Sequence, residues 1–248
     1  HRRVTSGRRG FTVLTSNTVY FDQSQFQDKM EVTDDLPALQ EDAERHTLEA
    51  EEELRLEVNF AKQSTLKLTL QKGSAEVQGV ELALHHKYEF TGGGLKLAIF
   101  TWHGCVVDIV CDKMEISYTS KETNSNVAAV NTHAQLEALR DEAVASTGEG
   151  PRVLILGPKE SGKTYLAKVL TAYAVKLGRT PILVDLDPAD NCLTPTGTLS
   201  ACSMDPDAVS VETYATTGLP VASQPLALWH GQTEPSPDLF NAQVKALA

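Results

Sequence analysis

At 248 residues with 41% hydrophobic side chains, the chain carries enough apolar material for one large or two ordinary domains. Its formal net charge of −11 excludes strong nonspecific attraction of the whole chain to nucleic acid and leaves room only for a local basic groove. Cys105, Cys111, Cys192 and Cys202 form no C-x-x-C pair and have no histidine at ligand spacing, so neither a zinc site nor a disulfide framework organises the fold, and no apolar run approaches the roughly 20 residues needed to cross a bilayer.

Residues 1–46 lack sustained periodicity and read as a disordered or irregular extension. Arg2, Arg3, Arg8 and Arg9 make a basic tip, better explained as a solvated tail than as an import or RNA-contacting arm. An acidic run from Asp34 to Glu53 follows, again with the character of a solvated stretch.

From 47 to 125 the pattern changes. Leu54-Arg55-Leu56-Glu57-Val58, Leu66-Lys67-Leu68-Thr69-Leu70, the stretch 75–82 and the stretch 113–118 all alternate apolar and polar residues, and Gly92-Gly93-Gly94 punctuates them. The alternation predicts a small all-β sandwich of about seven strands. Residues 126–150 form a linker in which Leu136, Leu139 and Val144 fit one helix over 131–145, closed by Gly148-Glu149-Gly150-Pro151.

The segment 151–248 reads as an α/β domain. Arg152-Val153-Leu154-Ile155-Leu156 predicts a buried strand, and Leu166, Val169, Leu170, Tyr173, Ala174 and Leu177 predict a helix over 163–177 with one apolar face. Ile182 to Asp187 predicts a second strand, so the βαβ order implies a parallel sheet. Between the first strand and the helix stands Gly157-Pro158-Lys159-Glu160-Ser161-Gly162-Lys163-Thr164, which fits G-x-x-x-x-G-K-[ST] in its required context. Glycines 157 and 162 permit the turn that aims backbone N–H groups at phosphate oxygens. Lys163 would meet the terminal phosphates, Thr164 a magnesium ion, and Glu160, Ser161 and Tyr165 line or flank the cradle. The spacing therefore predicts a P-loop NTPase domain that binds ATP with Mg2+.

Asp187, at the carboxyl end of the second strand, is a candidate general base and a second magnesium contact, weighed against the plainer role of capping the turn at Pro188. Only about ninety residues follow the loop, which is thin for a complete sheet with a lid, and the chain begins at a histidine; the sheet is expected to be incomplete and the parent chain longer.

The run Leu95 to Cys105, then Asn131-Thr132-His133, Gly150-Pro151-Arg152-Val153, the phosphate loop, and Tyr173 to Arg179 resemble the polynucleotide 5′-hydroxyl kinase family of pre-mRNA cleavage factor II, the Clp-type RNA kinases. The resemblance runs from about Glu53 to the end. It implies a β-sandwich, a central P-loop kinase domain, and transfer of a phosphoryl group to the 5′-hydroxyl end of RNA in mRNA 3′-end processing and tRNA splicing. It further implies a cleavage-factor scaffold protein as partner and a nuclear location. Carried over by position, Glu53, ahead of the first sandwich strand, and Lys96, in a later strand, would recognise adenine.

The resemblance places Asp187 as the group that activates the RNA hydroxyl. The family continues this strand as L-D-x-G-Q, whereas Ala189 and Asp190 stand here in place of Gly and Gln. An added carboxylate opposes a phosphate-rich substrate. An ATP-bound scaffold without turnover is therefore the alternative to the kinase, and a partition-type ATPase a remote one, since Pro158 occupies the place of that family's additional lysine.

Overall fold

The computed structural model describes residues 2–5, 12–15, 36–59, 65–91, 94–112, 114–121, 125–146, 148–216, 218–219 and 223–247. Arg8, Arg9, Asp34, Asp35, Gly92, Gly93 and Lys113, used in the readings above, lie outside them. Two compact units divide the chain, His1–Leu170 and Thr171–Ala248.

In the first unit, β1 (Arg2–Thr5) and β2 (Thr12–Thr15) pair antiparallel within the segment read as an extension. Among the described residues nine strands then build the sandwich: β3 (Glu44–Leu48), β4 (Glu52–Val58), β5 (Thr65–Gly73), β6 (Glu76–Val77), β7 (Val80–Glu81), β8 (Lys87–Thr91), β9 (Lys96–Thr101), β10 (Cys105–Cys111) and β11 (Met114–Ser120). They form a four-stranded sheet in the order β3-β10-β5-β8 and a five-stranded sheet in the order β11-β4-β9-β6-β7, all neighbours antiparallel. Leu66, Leu68 and Leu70 of β5 and Leu54, Leu56 and Val58 of β4 are buried, as the period of two requires. Each such leucine contributes roughly 2 kcal/mol of burial. The run 75–82, read as an alternating stretch, is a tight hairpin of two short strands. Gln78 and Gly79 both take positive φ, 50° and 82°, which lets Val77 pair with Val80 across a two-residue turn.

The linker helix is longer than predicted: α1 covers Ser125–Ser146. His133 is buried on it. Desolvation holds its imidazole below the ordinary value of 6.5, with Glu137 opposing and Arg140 adding to the shift. The unfolded chain therefore takes up the proton first. Stability is complete above about pH 7.5 and falls as pH drops through 6.5 toward the lower folded value. Urea midpoints of the parent should decline between pH 7.5 and 5, and those of His133→Gln should decline less; parallel profiles would contradict this.

In the loop-to-helix region, α2 (Lys163–Lys176) buries Leu166, Val169, Leu170, Tyr173 and Ala174. Leu177, expected on the same face, is exposed. The helix stops one residue earlier, where Gly178 N–H donates to the Val175 carbonyl at 2.9 Å and Arg179 N–H to the Ala174 carbonyl at 3.0 Å, a Schellman closure.

The expected parallel sheet is corrected. Residues 151–155 are irregular, and Leu154 is 63% exposed. β12 (Ile182–Asp185) pairs antiparallel with β13 (Thr198–Ser203), which pairs antiparallel with β14 (Leu226–Trp229); α3 (Pro237–Leu247) follows. Parallel pairing needs a crossover of a dozen or more residues, usually helical, and the connection 186–197 holds only turns and bends, so β13 returns beside β12 in the opposite sense. A short apolar run such as 152–156 becomes a strand only when neighbours satisfy its backbone. No helix among the described residues is long and apolar enough to cross a membrane, and no group of three metal-ligating side chains occurs among them.

Candidate functional site

Residues 157–162 run without regular structure into α2, and their backbone alternates in sign. Glu160 has φ of 61° and Gly162 of 85°, while Ser161 between them and Lys163 after them keep negative φ. Such alternation turns successive N–H groups toward one side and makes a concave nest for an anion. Gly157, expected to share the turning role with Gly162, does not adopt the left-handed conformation. Glu160 does so instead, a conformation that costs a non-glycine residue about 1 kcal/mol or more.

Gly162 carbonyl accepts the Leu166 N–H at 3.0 Å, so the first helical turn is formed while the preceding amides have no intrahelical partner. The Lys163 ammonium donates to the Pro158 carbonyl at 2.8 Å and thus lies back over its own loop. Ser161 is buried and its hydroxyl has no hydrogen-bond partner among the described residues. Thr164 is exposed. A cradle of amides, a lysine within reach and an unanswered hydroxyl fit a polyphosphate chain with its magnesium.

Tyr165, in the first turn of α2, ties the loop to α1. Its hydroxyl donates to Asn126 Oδ1 at 2.8 Å, and Asn126 is fully buried near the start of α1. Burial chiefly, then the nearby carboxylates of Glu53 and Glu76, push the phenol well above its usual range. Glu53 and Tyr165, two predicted site residues more than a hundred positions apart, are thus coupled through their charges.

Glu53 is 5% exposed and is the second residue of β4 rather than a residue ahead of the first strand, because β3 precedes it. Arg55 Nε donates to Glu53 Oε1 at 2.6 Å and its Nη2 reaches the same oxygen. Lys96 opens β9 and donates to Glu57 Oε1 at 3.0 Å. The register sets Glu57 against Lys96 and Glu53 against Phe100. Glu53 and Lys96 therefore stand on one face of the sheet but four residues apart along the strands, about 13 Å.

Asp187 belongs to the second unit, two residues beyond β12. Its N–H donates to Asp185 Oδ1 and its own Oδ1 accepts the Ala189 N–H, both at 2.9 Å. The turn-capping role is thus present. Asn191 was missed by the sequence reading: its Oδ1 accepts from Leu193 N–H, Thr194 N–H and Ser200 Oγ, each at 2.9 Å, and its amide donates to the Thr198 carbonyl at 3.1 Å. Asx turns of this kind were signalled only by the Asp-Pro and Asp-Asn pairs.

Comparisons with known proteins agree along the chain. The sequence model described as the N-terminal beta-sandwich domain of polyadenylation factor matches residues 47–143, and that described as the mRNA cleavage and polyadenylation factor CLP1 P-loop matches 157–248. The mRNA cleavage and polyadenylation factor clp1 of Botryotinia fuckeliana is 40% identical over 214 residues, covering 82% of this chain and 44% of that protein. The Protein CLP1 homolog of Drosophila grimshawi is 40% identical over 205 residues, covering 82% and 46%. The clp1 factor of Aspergillus niger is 48% identical over 149 residues, covering 60% and 29%. The chain spans less than half the length of these relatives. Among solved structures, a wild-type Clp1p-Pcf11p complex matches with a TM-score of 0.68 at 22% identity, over 83% of this chain and 50% of that one. A likeness of that identity speaks for the fold. With both halves matched by models of one family and relatives at 40–48% identity, the chain belongs to the Clp1 family of mRNA cleavage and polyadenylation factors.

Proposed function

We propose that this chain binds ATP with Mg2+ through residues 157–164 and serves as the nucleotide-binding part of an RNA 5′-hydroxyl kinase of the pre-mRNA cleavage complex. The observation that carries the reading is the alternating-φ nest at Glu160–Gly162, opening directly onto the first turn of α2. On ATP binding, Lys163 would exchange the Pro158 carbonyl for the terminal phosphates, and Thr164 and Ser161 would supply hydroxyls. Thr164 would hold magnesium, which when bound would neutralise charge on the phosphates. Asp187 would accept the proton of the RNA 5′-hydroxyl, and Glu53 and Lys96 would flank the base. By likeness to relatives named for mRNA cleavage and to the Clp1p-Pcf11p complex, the place of action is the nucleus and the partner a cleavage-factor scaffold protein. Another solved relative of this fold is described in terms of ATP loss in a glycine-to-arginine point mutant, which supports nucleotide as the ligand.

A second reading, ATP held as a structural ligand of a silent scaffold, is favoured by one observation. The Asp187 carboxylate already caps Ala189, in the very place where Ala189 and Asp190 depart from the kinase pattern. Incubating the full-length protein with γ-labelled ATP and a 5′-hydroxyl oligoribonucleotide separates the two. Label on the RNA supports the kinase; tightly retained ATP without transfer selects the scaffold.

A further inference from the structure

The outer face of the five-stranded sheet is ordered in rows by its register. Ser120, Glu53 and Phe100 form one row across β11, β4 and β9; Tyr118, Arg55 and Ala98 the next; Ile116, Glu57 and Lys96 the third. Successive rows lie about 7 Å apart. The middle row thus runs between Glu53 and Lys96, and its composition is unlike its neighbours. Tyr118 presents an aromatic ring that is 47% exposed, Ala98 leaves the adjoining strand without a bulky side chain, and Arg55 holds its guanidinium 5.7 Å from the centre of the Tyr118 ring. That guanidinium is also fixed at both ends, to Glu53 by Nε and to the Tyr118 hydroxyl by Nη1 at 3.2 Å. Arg55 also has a small electrostatic effect on the Tyr165 hydroxyl, in the first turn of the phosphate-loop helix.

We infer that Tyr118, with Arg55, is the stacking platform for the purine ring of the bound nucleotide. This rests on the proposed nucleotide site and adds to it a specificity residue that neither Glu53 nor Lys96 supplies. The ring already has a cation over its face, 5.7 Å from its centre, and the two flanks offer an acceptor at Glu53 and a donor at Lys96 for the polar edges of adenine. A base–aromatic stack of this kind is typically worth a five- to hundredfold change in affinity on truncation to alanine. Because Tyr118 is exposed, removing its ring leaves the core intact.

The test is calorimetric titration of ATP and of tripolyphosphate into the full chain and its Tyr118→Ala and Tyr118→Phe variants. Fluorescence of a 2-aminopurine ribonucleoside triphosphate is followed in parallel. Tyr118→Ala should weaken ATP by at least about tenfold while tripolyphosphate stays within about twofold of the parent, and Tyr118→Phe should keep both. The 2-aminopurine signal should be quenched in the parent and in Tyr118→Phe and recover in Tyr118→Ala. Unchanged ATP affinity in Tyr118→Ala, or equal losses of ATP and tripolyphosphate, would overturn the inference while leaving the phosphate loop standing. So would a Tyr118→Ala variant that weakens only on single-stranded RNA. A parent that binds neither ATP nor tripolyphosphate would bring down the loop reading itself, and the platform with it.

Discussion

Lys163→Ala should lower ATP affinity by at least about a hundredfold, because the lost ammonium supplies charge-assisted hydrogen bonds worth about 1.5–3 kcal/mol each to the terminal phosphates. The nest would remain, since its backbone is shaped by Glu160 and Gly162 and not by the lysine side chain. Folding should be nearly unaffected: the one hydrogen bond given up is to the solvent-facing Pro158 carbonyl, which water can satisfy. Calorimetry with ATP, alongside thermal unfolding without it, separates the two effects. Parent-like ATP binding in a folded Lys163→Ala protein would remove the lysine from the site.

Asp187→Asn in the full-length protein should cut transfer to a 5′-hydroxyl oligoribonucleotide by about 10²- to 10⁴-fold, the range that a positioned general base supplies. The substitution suits the local geometry. An asparagine Oδ1 can still accept the Ala189 N–H that Asp187 accepts at 2.9 Å, so the turn after β12 should keep its shape. Loss of rate with ATP affinity unchanged would then report the proton-accepting role alone. Transfer at the parental rate would exclude Asp187 as the base, and the capping bond would be its whole function.

The sandwich was legible because half-buried antiparallel strands write their alternation directly into sequence, as at Leu54-Arg55-Leu56-Glu57-Val58. The hairpin at Gln78-Gly79 went unread although its mark is there: Ala75 and Val77 lie in one phase of the alternation and Val80 and Leu82 in the other, so the period of two breaks at the turn. Phosphate-loop geometry is local, so eight residues sufficed to announce it; that Glu160 rather than Gly157 would take the left-handed conformation was beyond the motif. Strand 152–156 failed for the opposite reason. An apolar run has no sheet without partners, and β12 found its partner in β13.

The site was legible only in part. Glu53 and Lys96 entered through a resemblance, and nothing in their spacing revealed that one is buried against Arg55 while the other pairs with Glu57 about 13 Å along the ladder. The Tyr165 to Asn126 hydrogen bond joins positions 39 residues apart, and the row Tyr118-Arg55-Ala98 exists only once three strands are in register. Contacts of that kind are properties of pairing, and pairing is set by the whole sheet.

Amide hydrogen exchange resolved to residues 157–166, with and without saturating ATP and magnesium, tests the nest most directly. The N–H groups from Glu160 to Thr164 should exchange at least about tenfold more slowly in the presence of nucleotide, in the parent and not in Lys163→Ala. Exchange at those amides indifferent to ATP, in protein that binds it elsewhere or not at all, would contradict it.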